Sequence, residues 1–195
     1  MSEVRIVTLT PDRVETFTGF FDGDIFADKP DWASCYCHAF YFDRSTGAHW
    51  STRTAAENRA ASCGMISEGR MSGLFAVVED RVVGWCNAAR KSDMTAFADD
   101  PTPGFDNDQV VFMSCFMVAP SARGQGAARQ MCMYSLEAAR ALGYRAMQFN
   151  LVLASNVRAV ALWERLGFAI AGTLPDVFDH PNLGMVDAHV MRKAL

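Results

Sequence analysis

The stretch "VAPSARGQGAARQM", residues 118 to 131, places an arginine and two glycines between an apolar run and a helical pattern. A turn of this kind presents free backbone N–H groups and the positive end of the helix dipole to an anion. Small residues at such a turn let the backbone approach a diphosphate. Arg123, Gly126 and Ala128 follow the pattern R-x-x-G-x-A, which predicts a phosphate-binding loop.

Two common phosphate loops do not fit this stretch. A mononucleotide loop requires Lys followed by Ser or Thr after its second glycine, where this chain has Ala127 and Ala128. A dinucleotide fingerprint that starts at Gly124 requires Gly or Ala at position 129, which is Arg129. It also requires an acidic residue about 20 positions later, near Asn150. A pyrophosphate cradle of another kind therefore remains.

The elements around the loop alternate between strand and helix patterns. "QVVFMSCFMVAP" predicts a buried strand that ends at Pro120, and the helix after it ends near Gly143. The following segments predict a strand, "YRAMQFNLVL", and a capped helix, "SNVRAVALWERLGF". The remaining segments predict a first strand, two helices, a hairpin and two final strands around a loop: "VRIVTLT", "PDRVETFTGFF", "TRTAAENRAASCGMISEG", "GLFAVVEDRVVGWCNAAR", "FAIAGTL" and "MVDAHVMRKAL". This order predicts an α/β fold with a mixed sheet.

Composition limits the class of protein. The chain has 195 residues, which fits one domain, and 50% of them are hydrophobic. Its apolar runs are too short to span a membrane, and its net charge of −4 without basic clusters argues against a nucleic-acid partner. The start "MSEVRIVTLT" lacks a signal-peptide pattern, and the six cysteines fit free thiols, so we expect a cytoplasmic protein.

The loop and the second strand–helix pair together resemble the GNAT superfamily, the Gcn5-related N-acetyltransferases. In that family the loop reads [RQ]-x-x-G-x-[GA] after a strand that ends in V-x-P. "FNLVLASNVRAVALWERLGF" is similar to its second block, and "GTLPDVFDHPNLGMVDAHVMRKAL" is similar to its C-terminal region. The resemblance covers residues 72 to 195 and implies a single GNAT-like acetyltransferase domain over residues 1 to 195, with a mixed, mostly antiparallel central sheet flanked by helices.

The same resemblance implies an acyl donor, an acceptor and binding roles. The donor is acetyl-CoA, and the acceptor is the amine of a small molecule. The sequence leaves open whether the protein forms a homodimer. The main chain at Met117 and Val118 pairs with the pantetheine arm. The pyrophosphate lies on the amides of the loop: Arg123, Gly124, Gln125, Gly126, Ala127 and Ala128. Asn156 matches the family residue that reaches the pantetheine, although it also fits a helix N-cap, and both roles are compatible.

The catalytic groups depart from the family pattern. The central strand offers Ser114 and Cys115 where many relatives have a glutamate, and Trp163 replaces the tyrosine that serves relatives as a general acid. An indole N–H donates a hydrogen bond but does not release a proton near neutral pH. His180, in the predicted loop before the last strand, has a useful unperturbed pKa and is our candidate for the catalytic base.

Two functions from different classes remain at this stage. The first is an N-acetyltransferase in which the amine attacks acetyl-CoA directly. The second is a non-catalytic acyl-CoA-binding or sensing module, which the absent strand carboxylate and Trp163 favour. Direct attack with proton transfer through water requires neither missing residue, so we expect the enzyme.

Overall fold

The fold was obtained as a computed structural model that describes residues 3–28, 34–43, 52–180 and 182–195. It contains seven strands: β1 (Arg5–Thr8), β2 (Gly73–Val78), β3 (Arg81–Arg90), β4 (Val110–Val118), β5 (Ala146–Leu153), β6 (Ala169–His180) and β7 (Gly184–Ala194). The α-helices are α1 (Val14–Phe21), α2 (Ala55–Ser67), α3 (Ala127–Ala141) and α4 (Val157–Arg165).

The strands form one sheet in the order β1-β2-β3-β4-β5-β7-β6. Strands β4 and β5 run parallel, and every other neighbouring pair is antiparallel. The parallel pair is joined by α3, as a crossover connection requires. The predicted α/β fold, with a mixed and mostly antiparallel sheet between helices, is therefore confirmed.

Helices cover both faces of the sheet. The side chains of α3 and α4 pack on one face, in a core that includes Met113, Met131 and Phe149. Those of α1 and α2 pack on the other face, around Phe17 and Trp85. Covering both faces explains why "VVFM" at the start of β4 is fully buried and carries no polar residue.

Two helix starts show why the sequence folds this way locally. Thr54 opens α2 with a capping box, because its hydroxyl accepts from the Glu57 amide and the Glu57 carboxylate accepts from the Thr54 amide. Gly126 precedes α3 with φ of 88°, a left-handed conformation that favours glycine. The expected capping threonine and the expected glycine turn are thus present in the structure.

The final hairpin differs from the prediction. The sequence pattern ends the first of the two last strands at Leu174, whereas β6 continues to His180. Pro175 is tolerated because β6 is an edge strand, and the register shifts between Leu174 and Phe178. His180 therefore ends a strand, opposite Gly184, rather than lying within a long loop.

Candidate active site

The sheet opens between β4 and β5 because both strands are irregular at the same level. Their pairing runs from Val110 opposite Ala146 to Met113 opposite Phe149 and then stops. Just beyond, Ser114 is the extra residue of a bulge in β4 against β3, and the register of β5 against β7 also shifts. Leu151 has φ of 61° at that shift, a strained conformation for leucine.

The opening leaves one backbone edge of β4 facing a cleft. Met117 and Val118 lie opposite Trp85 and Gly84 of β3, no described strand pairs with them toward β5, and Val118 O accepts from Arg123 Nε at 3.1 Å. An open strand edge of this kind binds an extended ligand as an added strand. The position predicted for the pantetheine arm therefore has the required geometry.

The loop after β4 supplies a cradle for an anion at the mouth of this cleft. Gly124 and Gly126 have φ of 77° and 88°, and a Cβ built on either would have no described atom within 4 Å. The amides from Gly124 to Arg129 donate to no residue that the structure describes, and the first helical bond runs from the Gln130 amide to Gly126 O. These free donors and the open space fit a diphosphate.

The side chain of Arg123 points away from this cradle. Its guanidinium forms an ion pair with Asp28, with Nη1 and Oδ2 2.5 Å apart, and its Nε donates to Val118 O at 3.1 Å. The Arg123 amide itself donates to Pro120 O at 3.4 Å, so it is not one of the free amides of the loop, and its predicted ligand role stays a prediction. The side chain instead connects the loop to the end of β4 and to the segment after α1.

Asn156 caps the second helix. Its Oδ1 accepts from the Ala159 amide at 3.2 Å, which confirms the capping alternative. Its Nδ2 donates to no described residue, so the side chain retains a donor for the predicted contact with pantetheine.

Trp163 lies in an aromatic cluster below the cleft. Its ring stacks on Phe149 with centroids 4.4 Å apart and meets the edge of Phe116 at 4.9 Å. Only 5% of its surface is exposed, and its indole N–H donates to no residue of the described chain. The arrangement is that of a packing residue.

Beside the cleft, the face of the sheet covered by α1 and α2 carries a buried polar group around Asn87. The Tyr41 hydroxyl donates to Asn87 Oδ1 at 3.0 Å, and Trp85 Nε1 donates to Cys37 Sγ at 3.0 Å. Burial, with a contribution from the Cys115 thiol, raises the pKa of Cys37 well above its usual value. Burial likewise raises the pKa of Tyr41. Both groups are therefore neutral at physiological pH.

A row of polar side chains on the same face was not recognised in the sequence as part of a site. Arg192 Nε donates to Gln148 Oε1 at 2.8 Å, and Gln148 Nε2 donates to Asn150 Oδ1 at 2.8 Å. The available signal was the alternation of Gln148 and Asn150 with apolar residues in β5. Across the opening, Ser114 Oγ is buried without a hydrogen-bond partner in the described structure.

The histidines provide less information about the base. The His180 side chain lies outside what the structure describes, so His180 stays a prediction. His38 is described, and burial together with the Arg53 charge lowers its pKa, so this imidazole is neutral at pH 7.

Comparisons with known proteins agree with this geometry. The model of the acetyltransferase (GNAT) family matches residues 30–168. Among solved structures, a GCN5-related N-acetyltransferase from Kribbella flavida is 28% identical, with a TM-score of 0.65 over 98% of both chains. YncA from Salmonella typhimurium, a putative acetyltransferase solved with its cofactor acetyl-CoA, is 19% identical, with a TM-score of 0.61 over 100% of this chain and 95% of that one.

A curated relative gives a shorter match. N-acetyltransferase aca1 of Schizosaccharomyces pombe is 38% identical over 76 residues, which are 38% of this chain and 36% of that protein. The match thus spans about a third of the relative's length.

The fold, the open sheet and the free amides of the loop agree with the family match. The chain belongs to the acetyltransferase (GNAT) family. None of the described helices combines the length and the apolar character needed to cross a membrane.

Proposed function

We propose that this protein transfers the acetyl group of acetyl-CoA to the amine of a small molecule by direct attack. The observation that carries the proposal is the opening between β4 and β5, which ends at the glycine cradle before α3. A strand edge and a helix N-terminus in line fit an acyl-pantetheine arm that ends in a diphosphate.

In this proposal the cofactor arm lies along β4. The main chain of Met117 and Val118 pairs with it, and Asn156 Nδ2 donates to it from the start of α4. The amides at the loop bind the diphosphate: Arg123, Gly124, Gln125, Gly126, Ala127 and Ala128. The free amides of Gly124 to Ala128 and the absence of any described atom near a Cβ on Gly126 support this assignment.

The chemistry requires a neutral amine and a donor for the developing oxyanion. Because β4 has no carboxylate, we assign proton removal to His180, with water as the relay. The amine nitrogen bonds to the thioester carbon, the carbon–sulfur bond breaks, and the amine proton ends on the CoA thiol. The buried Trp163 contributes packing rather than a proton.

The alternative is an acyl-CoA-binding module without turnover. Incubation of the protein with acetyl-CoA and a panel of small amines, followed by detection of free thiol, separates the two functions. Amine-dependent thiol release supports the enzyme. Tight binding of acetyl-CoA without release of free thiol in the presence of any amine supports the binding module.

The proposal includes a setting for the enzyme. The six cysteines are free thiols, which fits a reducing compartment such as the cytoplasm.

Large apolar side chains are exposed on β6 and β7 and fit a homodimer contact: Ile170, Leu174, Val177 and Met185. Sedimentation at increasing concentration tests the dimer, and a monomer at all concentrations would exclude it.

The cradle itself is tested by Gly126→Asp. A carboxylate at this position enters the space of the diphosphate, so we expect acetyl-CoA binding by calorimetry to be lost while the fold persists. Gly143→Asp is the matched control, because Gly143 also has positive φ and open space but lies after the other end of α3. Unchanged acetyl-CoA affinity in folded Gly126→Asp would refute the binding site.

A further inference from the structure

The hydrogen bonds of Arg192, Gln148 and Asn150 form a chain with one fixed direction. Gln148 lies opposite Arg192 in the pairing of β5 with β7, and Asn150 follows two residues later on the same face. Gln148 is 2% exposed, so its amide has no solvent to replace these partners. Both bonds in the chain measure 2.8 Å.

The direction follows from the chemistry of the first residue. A guanidinium only donates, so Gln148 must turn its oxygen to Arg192 and its NH₂ group to Asn150. Asn150 must then accept through Oδ1. Its own NH₂ group is left over, and Asn150 Nδ2 bonds to no residue in the described part of the chain. The chain therefore holds Asn150 as a donor rather than an acceptor.

The end of the chain lies at the apex of the cleft. The last β4–β5 pair is Met113 opposite Phe149, so Ser114 and Asn150 occupy the first separated level. The bulges of both strands fall at this level. Ser114 Oγ is buried there without a described partner, and a buried hydroxyl in that state indicates that a ligand or water completes the site.

Arg192 also gives the chain a positive end. Its other described contact is from Nη1 to the Pro103 carbonyl at 3.0 Å, and no described carboxylate forms a salt bridge with it. Burial lowers its pKa, but a guanidinium keeps its charge in proteins. The dipoles of Gln148 and Asn150 are oriented by that charge, so the free N–H of Asn150 favours an anionic oxygen.

We propose that Asn150 is a catalytic residue whose Nδ2 donates a hydrogen bond to the carbonyl oxygen of the acetyl thioester. As the amine attacks, the carbonyl π electrons move to this oxygen, and Asn150 stabilises the charge together with the backbone of β4. When the carbon–sulfur bond breaks, the electrons return and the carbonyl forms again. Gln148 and Arg192 are positioning residues. The inference rests on the proposed binding of acetyl-CoA in this cleft.

Infrared spectroscopy tests the contact without turnover. Acetyl-CoA labelled with ¹³C at the thioester carbonyl is bound to the protein in the absence of an amine. A hydrogen bond to the carbonyl lowers its stretching frequency, so the wild-type complex should show a band at lower wavenumber than free acetyl-CoA. In Asn150→Ala this displacement should shrink. A band that is displaced equally in both proteins would overturn the inference.

Kinetics provide the second readout. For Asn150→Ala we expect kcat to fall about a hundredfold, the usual scale for an oxyanion donor. The KM for acetyl-CoA should stay within about threefold, because the contact strengthens mainly in the transition state. If kcat falls by less than about threefold, the result contradicts the assignment.

Substitutions at Gln148 separate positioning from packing. In Gln148→Glu the carboxylate accepts from Arg192 and also from Asn150, so Asn150 turns round and presents its oxygen to the cleft. This variant should lose the carbonyl band displacement although Asn150 is intact. Gln148→Met is the control of similar shape. It removes the bond to Asn150 without turning the Asn150 amide round, so the loss of band displacement should be smaller. Equal bands in the two variants would contradict the positioning role.

The two proposals fail in distinguishable ways. If calorimetry shows no acetyl-CoA binding to the wild-type protein, the proposed function fails. If acetyl-CoA binds and turns over, but neither the carbonyl band nor kcat changes in Asn150→Ala, only the role of Asn150 fails.

Discussion

Trp163 stands where the family has a proton donor, and its surroundings explain how a tryptophan serves there. The ring stacks on Phe149 and contacts Phe116 and Phe168, so it fills the core beneath the cleft. Stacked and edge-on pairs at these distances stabilise a core beyond the area they bury. These ring contacts favour the predicted packing role.

We therefore predict that Trp163→Phe keeps most of the activity. The smaller ring preserves part of the stack, and the fold should lose about 1–2 kcal/mol of unfolding free energy through the volume removed. Steady-state kinetics and urea unfolding measure the two effects. A loss of more than about a hundredfold in kcat at unchanged acetyl-CoA KM would show that the indole N–H acts in the transition state.

At the scale of single residues, the sequence predicts what local geometry determines. The left-handed turn at Gly126 and the cap at Asn156 depend on neighbours within a few positions, and both appear in the structure. The role of Asn150 depends on the register of β5 against β7, which brings Gln148 opposite Arg192. Sequence spacing contains no record of that register. The sequence therefore singles out Asn150 only as a residue near the position where a dinucleotide fingerprint requires a carboxylate.

Among elements, α1 and α2 are joined by a charged contact under the sheet. Asp22, which follows α1, accepts from Arg59 Nη2 of α2 at 2.9 Å and from the Tyr36 hydroxyl at 2.7 Å. The hydrogen bond from Arg59, and then that from Tyr36, lowers the pKa of Asp22. Tyr36 directly precedes Cys37, so this contact also fixes the segment that packs beneath Asn87 and Cys115.

The lowered pKa predicts how this contact responds to pH. A carboxyl group whose folded pKa lies below its unfolded value stabilises the fold above the unfolded value, near pH 4. That stabilisation is lost as the pH falls through the folded value. The urea midpoint of unfolding should therefore be higher for the wild type than for Asp22→Asn at pH 7. The difference between the two midpoints should shrink below pH 4.

Asp80→Asn provides the matched control for this measurement. Asp80 pairs with Arg5 at 3.4 Å, but its side chain is 99% exposed, so the substitution should leave the midpoint unchanged at either pH. A difference for Asp22→Asn that is the same at pH 7 and pH 3 would contradict the ionic role of Asp22.

The elements themselves were predicted unevenly. Helix α2 begins after Thr54 as its capping pattern indicates, and β4 ends before Pro120. The extension of β6 past Pro175 was missed, because proline usually ends a strand within a sheet. Only the sheet order shows that β6 is an edge strand, where proline is tolerated.

In the whole molecule, the cleft divides the sheet into two parts. Strands β1 to β4 and strands β5 to β7 share the short pairing from Val110 to Met113 and the core under α3 and α4. A ligand that pairs with β4 inside the cleft and binds the start of α3 adds contacts that the unfolded chain does not make. Such a ligand stabilises the folded state by mass action.

Acetyl-CoA should therefore raise the melting temperature of the whole chain. At a concentration 100 times Kd the folded state gains about 2.7 kcal/mol, which in a chain of this length corresponds to roughly 5–10 °C. Differential scanning calorimetry with and without acetyl-CoA measures the shift, and Gly126→Asp should show none because its cradle is blocked. The Asn150→Ala variant should shift almost as much as wild type, because its contact acts mainly in the transition state. An equal shift in wild type and Gly126→Asp would place the bound acetyl-CoA outside the cleft.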